Sequence, residues 1–170
     1  MKTSTKKLVL TALFTALITV STMFIRIPLP LGYVNLGDVF IFLSVFVLGP
    51  VWGTVASGIG SATADLLGYI TYAPGTLIIK TLMALTTYLT YKLLFNLTKK
   101  TFIAEIIAGI FGSIVMAFGY FIYEIMFFET VAVAIVNVPY NLIQGATGVI
   151  IAVTVMRILS NTKVLDKLQK

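Results

Sequence analysis

Apolar residues fill almost all of this 170-residue chain in six stretches, and the few charges left over sort by the breaks between them. The breaks fall near 26–36, 49–50, 67–73, 96–101 and 123–136. The spans between them are roughly 18–24 residues, enough to cross ~30 Å of hydrocarbon at about 1.5 Å per residue. The second is shorter and merges with the third at Gly49-Pro50-Val51-Trp52-Gly53. With the amino terminus placed in the cytoplasm, Lys2, Lys6, Lys7, Lys92, Lys99, Lys100, Arg157, Lys163, Lys167 and Lys170 all lie on that side. Only Arg26 and Lys80 remain on the outer half, as the positive-inside rule requires. The pattern predicts an all-α integral membrane protein: one domain over 1–170, six transmembrane helices, both termini cytoplasmic.

Composition prunes the function classes. The chain is 59% hydrophobic and 11% charged, against about 25% charged for soluble proteins. Its net charge of +6 sits in short juxtamembrane clusters, without the basic face a nucleic-acid partner needs. There is no Cys and no His, which excludes thiolate or imidazole metal sites, thiol nucleophiles and a Ser-His-Asp triad. A carboxylate-only metal site stays open. No Gly-rich Lys-Ser/Thr phosphate loop is present, so ATP is not bound by that route, and no cofactor is expected. The run 2–25 has the basic front of a signal peptide but no small-x-small cleavage site before Arg26-Ile27-Pro28, and reads as the first span.

Local signals place the helix ends. Pro28 and Pro30 end the first helix, and Asp38 stands where the positive end of the second favours a carboxylate. Gly49-Pro50 makes a tight cytoplasmic turn. Asp65 closes the third helix, Pro74 opens the fourth, and the sixth is expected to start around Asn137-Val138-Pro139. Small residues four apart let helix backbones approach. Ala56, Gly60 and Ala64, and likewise Ala108 and Gly112, predict packing inside the bundle. Ala12 and Ala16 lie near the cytoplasmic end of the first helix among outward-looking Leu, Phe and Thr, and suit docking of another membrane protein.

Polar groups in a span are costly, so where they gather is informative. Asn35, Asp38, Asp65, Tyr72, Lys80, Glu124, Glu129, Asn137, Tyr140, Asn141 and Gln144 all fall in the outer half. Asn137, Tyr140, Asn141 and Gln144 sit at i, i+3, i+4 and i+7, one helical face. Such a face cannot point at lipid without stranding its amides. It forms either an interhelical hydrogen-bond ladder or the lining of a solute site, with Lys80 and Asp38 expected near the rim. Lys80, six residues past Pro74, lies roughly 9 Å down its helix. It snorkels outward, pairs with Asp38 or Asp65, or holds an anionic or hydroxyl group of a solute. Glu124 and Glu129 flank the last outer loop as solvated or solute-touching acids. Glu105, the one acid on the inner half of a span, is expected near the membrane surface, so no carboxylate relay crosses the membrane.

These residues resemble a known family. Gly32-Tyr33-Val34-Asn35-Leu36-Gly37-Asp38 with the apolar run to Leu48-Gly49-Pro50, the small-residue helix ending Ala64-Asp65, the Pro74 to Lys80 segment and Ala12-Leu13-Phe14-Thr15-Ala16 are similar to the substrate-binding S components of energy-coupling-factor (ECF) vitamin transporters. The resemblance spans nearly the whole chain. It implies a six-helix subunit of the bacterial cell membrane that binds a vitamin near the outer face. It also implies a transmembrane coupling protein and two ATPases as partners, contacted through the Ala-x-x-x-Ala element. The Asn-Leu-Gly-Asp pattern resembles the branch named for riboflavin carriers, which also holds carriers for pyridoxine-type vitamin B6 and for hydroxymethylpyrimidine. The compact amide-and-Tyr face suits a single-ring solute of those latter kinds. Two other classes compete. A self-sufficient channel or secondary transporter would need polar lining through both halves or paired repeats, and a membrane-integral lipid enzyme would need clustered acids.

Overall fold

The computed structural model describes residues 3–29, 33–128 and 131–162. Lys2, Pro30, Gly32, Glu129, Lys163, Lys167 and Lys170 lie outside the described residues. The described chain forms α1 (Thr3–Phe24), a hairpin of β1 (Arg26–Pro28) and β2 (Tyr33–Asn35), then α2 (Gly37–Gly68), α3 (Ala73–Thr98), α4 (Thr101–Phe128) and α5 (Val131–Ser160). Five helices are long and apolar enough to cross a membrane.

The longest, α2, is two arms joined at a reversal. Gly49 has φ 79° and ψ −167°, outside the helical region and in the left-handed half that favours glycine, and Pro50 follows it. The Ser44 and Ser57 hydroxyls lie 3.3 Å apart, and Ser44 Oγ also reaches the Gly53 carbonyl at 3.3 Å. In one straight helix Ser44 and Ser57 would stand roughly 20 Å apart, so arm 50–68 folds back along arm 37–48. The first arm rises only about 18 Å, short of the hydrocarbon thickness, while the second rises about 28 Å.

Small residues set the packing predicted for them. An added Cβ at Gly60 would stand 2.8 Å from the Thr15 carbonyl oxygen and 2.9 Å from Ile18 Cβ, so α1 lies directly on the second arm. Thr19 Oγ1 donates to the Gly60 carbonyl at 2.9 Å across that contact. Ala56 and Ala64 on the same stripe are buried, as is Ala108 on α4. Ala12 and Ala16 are exposed on the outside of α1. Below the polar end, Ile18, Ile41, Phe42, Val45, Met83 and Met116 make the apolar interior.

Three expectations are corrected. The final helix begins at Val131, not near Asn137, and runs through Pro139. Its apolar first turns continue the helix, and the hydrogen bond that Pro139 cannot donate is tolerated inside a bundle. The broad outer break at 123–136 shrinks accordingly, because α4 reaches Phe128. Helix α2 continues past Asp65 to Gly68. Finally, the 26–36 loop is a β-hairpin, with Arg26 opposite Asn35, Ile27 opposite Val34 and Pro28 opposite Tyr33. Pairing supplies backbone partners that lipid would not. The short edge strand accommodates Pro28.

Replacing Gly60 by Val should destabilise the fold by about 1–3 kcal/mol, because the backbone of α1 must retreat. Thermal unfolding in detergent checks this, and a melting temperature equal to wild type would mean α1 is not held by that contact.

Candidate functional site

Many of the polar residues gathered toward one end of the bundle converge on one cavity. Its interior volume is about 30 Å³; with the open space at its mouth included it reaches about 440 Å³. Asn35, Lys80, Glu124, Asn141 and Gln144 line it together with Tyr33, Asp65, Tyr72, Thr76, Tyr120, Ser61, Thr22 and Leu29. Every element except β1 contributes a side chain.

A hydrogen-bonded network fixes one wall. Lys80 Nζ on α3 forms an ion pair with Asp38 Oδ1 in the first turn of α2. Asp38 Oδ2 accepts Gln144 Nε2 of α5 at 2.7 Å, and Gln144 Oε1 accepts the Asn35 backbone N–H of β2 at 2.6 Å. Asn35 Oδ1 in turn accepts the Gly37 N–H at 2.8 Å and the Thr22 hydroxyl of α1 at 3.3 Å. Lys80 Nζ also lies 2.9 Å from Met116 Sδ and 5.6 Å from the centre of the Tyr120 ring on α4. Lys80 is 2% exposed and Asp38 1%, so the pair is buried and not at the expected rim: Lys80 lines the cavity floor, and Asp38 is not itself in the lining. Neither charge survives alone at that depth; each requires the other plus the hydrogen bonds around it.

The opposite wall is aromatic and acidic. Glu124 Oε1 accepts Asn137 Nδ2 at 3.2 Å and the Tyr72 hydroxyl at 3.4 Å. The Tyr33 hydroxyl donates to Asp65 Oδ1. Thr76 Oγ1 and the Tyr120 hydroxyl are 3.0 Å apart. The Tyr72 ring sits 6.4 Å from that of Tyr120 and 5.9 Å from that of Tyr123. Burial first, and then the Asp65 carboxylate, push the Tyr33 phenol above its ordinary range; burial and the Glu124 carboxylate do the same for Tyr72. Both therefore stay protonated and donate. Arg26 stands over the Tyr33 and Tyr69 rings at 5.6 and 5.3 Å.

The face read from the last helix divides in the structure. Asn141 and Gln144 line the cavity. Asn137 is buried against Glu124. Tyr140 is 44% exposed and borders a separate apolar crevice with Phe24, Ile27 and Ile143. Tyr33, Ser61, Thr76 and Tyr120 were not singled out by the sequence. For Tyr33 a signal existed: alternation along β2 sends Tyr33 and Asn35 to one face. Glu105, expected near the surface, is fully buried and takes Arg157 Nη2 at 2.5 Å at the opposite end of the bundle. Among the described residues no group of His, Cys, Asp and Glu is arranged to hold a metal.

Replacing Asp38 by Leu should cost about 3–5 kcal/mol, since it strands a buried ammonium. The double change Asp38→Leu with Lys80→Met should recover most of that loss. Thermal unfolding of the two variants measures both, and equal stability of single and double mutants would mean the pair is not coupled.

Comparison with known proteins fits this architecture. The family model for the ECF-type riboflavin transporter S component matches residues 2–161. The structure of the S component of a bacterial ECF transporter superposes with a TM-score of 0.69 at 25% identity, covering 93% of this chain and 97% of that one. An uncharacterized protein in gap 3′ region of Pyrococcus woesei is 49% identical over 65 residues, which are 37% of this chain and 44% of that protein. The chain thus spans less than half the length of that curated relative. A full-length family match, joined to a bundle of membrane-spanning helices around a polar cavity at one end, places this chain in the ECF-type riboflavin transporter S component family.

Proposed function

We propose that this protein is the high-affinity vitamin-binding subunit of an ATP-driven ECF importer, and that its vitamin is a single-ring compound of the pyridoxine (vitamin B6) or hydroxymethylpyrimidine kind. The observation that carries the reading is the cavity itself: a preorganised set of amides, phenols and carboxyls open at one end of a bundle whose other walls are apolar. Closely set tyrosines suit a flat ring, and Asn141 with Gln144 suits its polar edge. The family's name carries riboflavin, the competing ligand of this same cavity.

Six crossings with both termini in the cytoplasm are part of the proposal. The two arms of α2 supply the even count, and Lys6, Lys7, Lys99, Lys100 and Arg157 then share one side. The location is the bacterial cell membrane, a reading supported by the likeness to the S component of a bacterial ECF transporter. Energy comes from a transmembrane coupling protein and two ATPases. Their docking surface is the outer face of α1, where Ala12 and Ala16 are exposed far from the cavity end.

Native mass spectrometry of the purified protein should reveal a co-purifying single-ring vitamin; a bound flavin would assign the site to riboflavin. Asn141→Leu should weaken binding by roughly 1–3 kcal/mol, as a buried polar group of the solute loses its partner; unchanged affinity by calorimetry would remove Asn141 from the site. Ala12→Trp and Ala16→Trp should leave binding intact and abolish uptake of radiolabelled vitamin in cells carrying the full transporter, because the ring blocks close helix approach. Normal uptake by both would refute docking through α1.

A further inference from the structure

Charge in the cavity is unevenly balanced. Lys80 is the only basic residue in its lining, and Asp38 already neutralises it. Asp65 and Glu124 also line the cavity, and among the described residues neither forms an ion pair. Arg26 stands over the Tyr33 ring and is not part of the lining. The tyrosine faces add further negative potential.

Two polar atoms in this wall are buried without a hydrogen-bond partner. One is Glu124 Oε2, on a residue 2% exposed; the other is Ser61 Oγ, on a residue 1% exposed. Both residues line the cavity. Buried polar atoms are normally satisfied, and an oxygen left open beside a cavity marks where a ligand atom completes the set. On Glu124 the neighbouring Oε1 receives two donors, Asn137 Nδ2 and the Tyr72 hydroxyl, which is the environment of an accepting carboxylate. Oε2 therefore calls for a donor from the ligand.

We propose that the ligand enters without phosphate or carboxylate and presents an amino or protonated ring nitrogen to Glu124 Oε2, with a hydroxyl or second polar group at Ser61. Glu124 is then the residue that fixes the charge class of the solute. Anionic vitamins and phosphate esters are rejected because they would meet two acids with the only cation already paired. This rests on the vitamin-binding reading above and narrows it to unphosphorylated, nitrogen-basic heterocycles.

The test is calorimetry on the purified full chain. The probes are 4-amino-5-hydroxymethyl-2-methylpyrimidine, pyridoxine, their phosphate esters, riboflavin and riboflavin phosphate. One of the first two should bind, and its phosphate ester should bind at least about 100-fold more weakly. Glu124→Gln, which keeps size but removes the charge, should lower affinity at least about tenfold while leaving the melting temperature near wild type. Ser61→Ala should lower it by a smaller factor, and serves in place of the Gln variant if that one fails to fold. A phosphate ester that binds as tightly as its parent, or unchanged affinity in the variants, overturns the proposal. Riboflavin binding with indifference to Glu124→Gln overturns it while leaving the vitamin-binding reading intact. No binding by any probe, with no co-purified molecule in native mass spectrometry, would bring down both.

Discussion

An ammonium placed deep in a membrane bundle must be paired, and the pairing of Lys80 with Asp38 organises the rest of the cavity end. The carboxylate is held at the positive end of α2 and by Gln144 of α5. Gln144 spends its remaining oxygen on the backbone of β2, and Asn35 ties that strand to α1 and to the start of α2. One buried charge thereby fixes the relative position of four helices and a hairpin. A network this complete is rigid where it is satisfied, so its two open oxygens on the facing wall stand out as places for something else.

The buried floor also explains why the site lies at one end. The interior below it is sealed by Phe42, Ile41 and Met83, each at most 0% exposed. Lipid outside is as apolar as that interior, so burial of apolar surface does not draw these helices together. Close backbone contact does, and it is strongest where Gly60 meets α1 and where the two arms of α2 meet at Ser44 and Ser57. The polar network and the small-residue seams are therefore complementary: the first fixes the site, the second holds the helices that carry it.

Much of this was legible in the chain, for a physical reason. Asn141 and Gln144 on one face, and Lys80 two turns inside its helix, are conspicuous because any intramembrane polar group demands a partner. The partner was harder to read. Asp38 and Asp65 were equal candidates for Lys80, since sequence spacing does not tell how α2 folds back. Tyr140 stands about 100° round the helix from Asn141, at the margin of that face, and its phenol borders the crevice at the edge of the bundle. Tyr120, Ser61 and Thr76 went unread because single hydroxyl residues in apolar runs carry no periodic signal, whereas Tyr33 was marked only by its alternation with Asn35 along β2. The start of α5 at Val131 was hidden by Pro139, whose position imitates a helix start.

The geometry separates two tasks along α1. Thr22 near its outer end bonds Asn35 at the cavity, Thr19 one turn earlier bonds the Gly60 carbonyl, and Ala12 and Ala16 face outward nearer the other end. The same helix thus touches the cavity, the seam with the second arm of α2 and the proposed docking face. A bulky partner on the outer face meets no polar group of the cavity, so occupancy and docking are not in steric conflict. Between the two, α1 is seated on Gly60 with no room for even a Cβ unless the backbone moves, so the helix that carries the proposed docking face is held in register with the cavity by close packing.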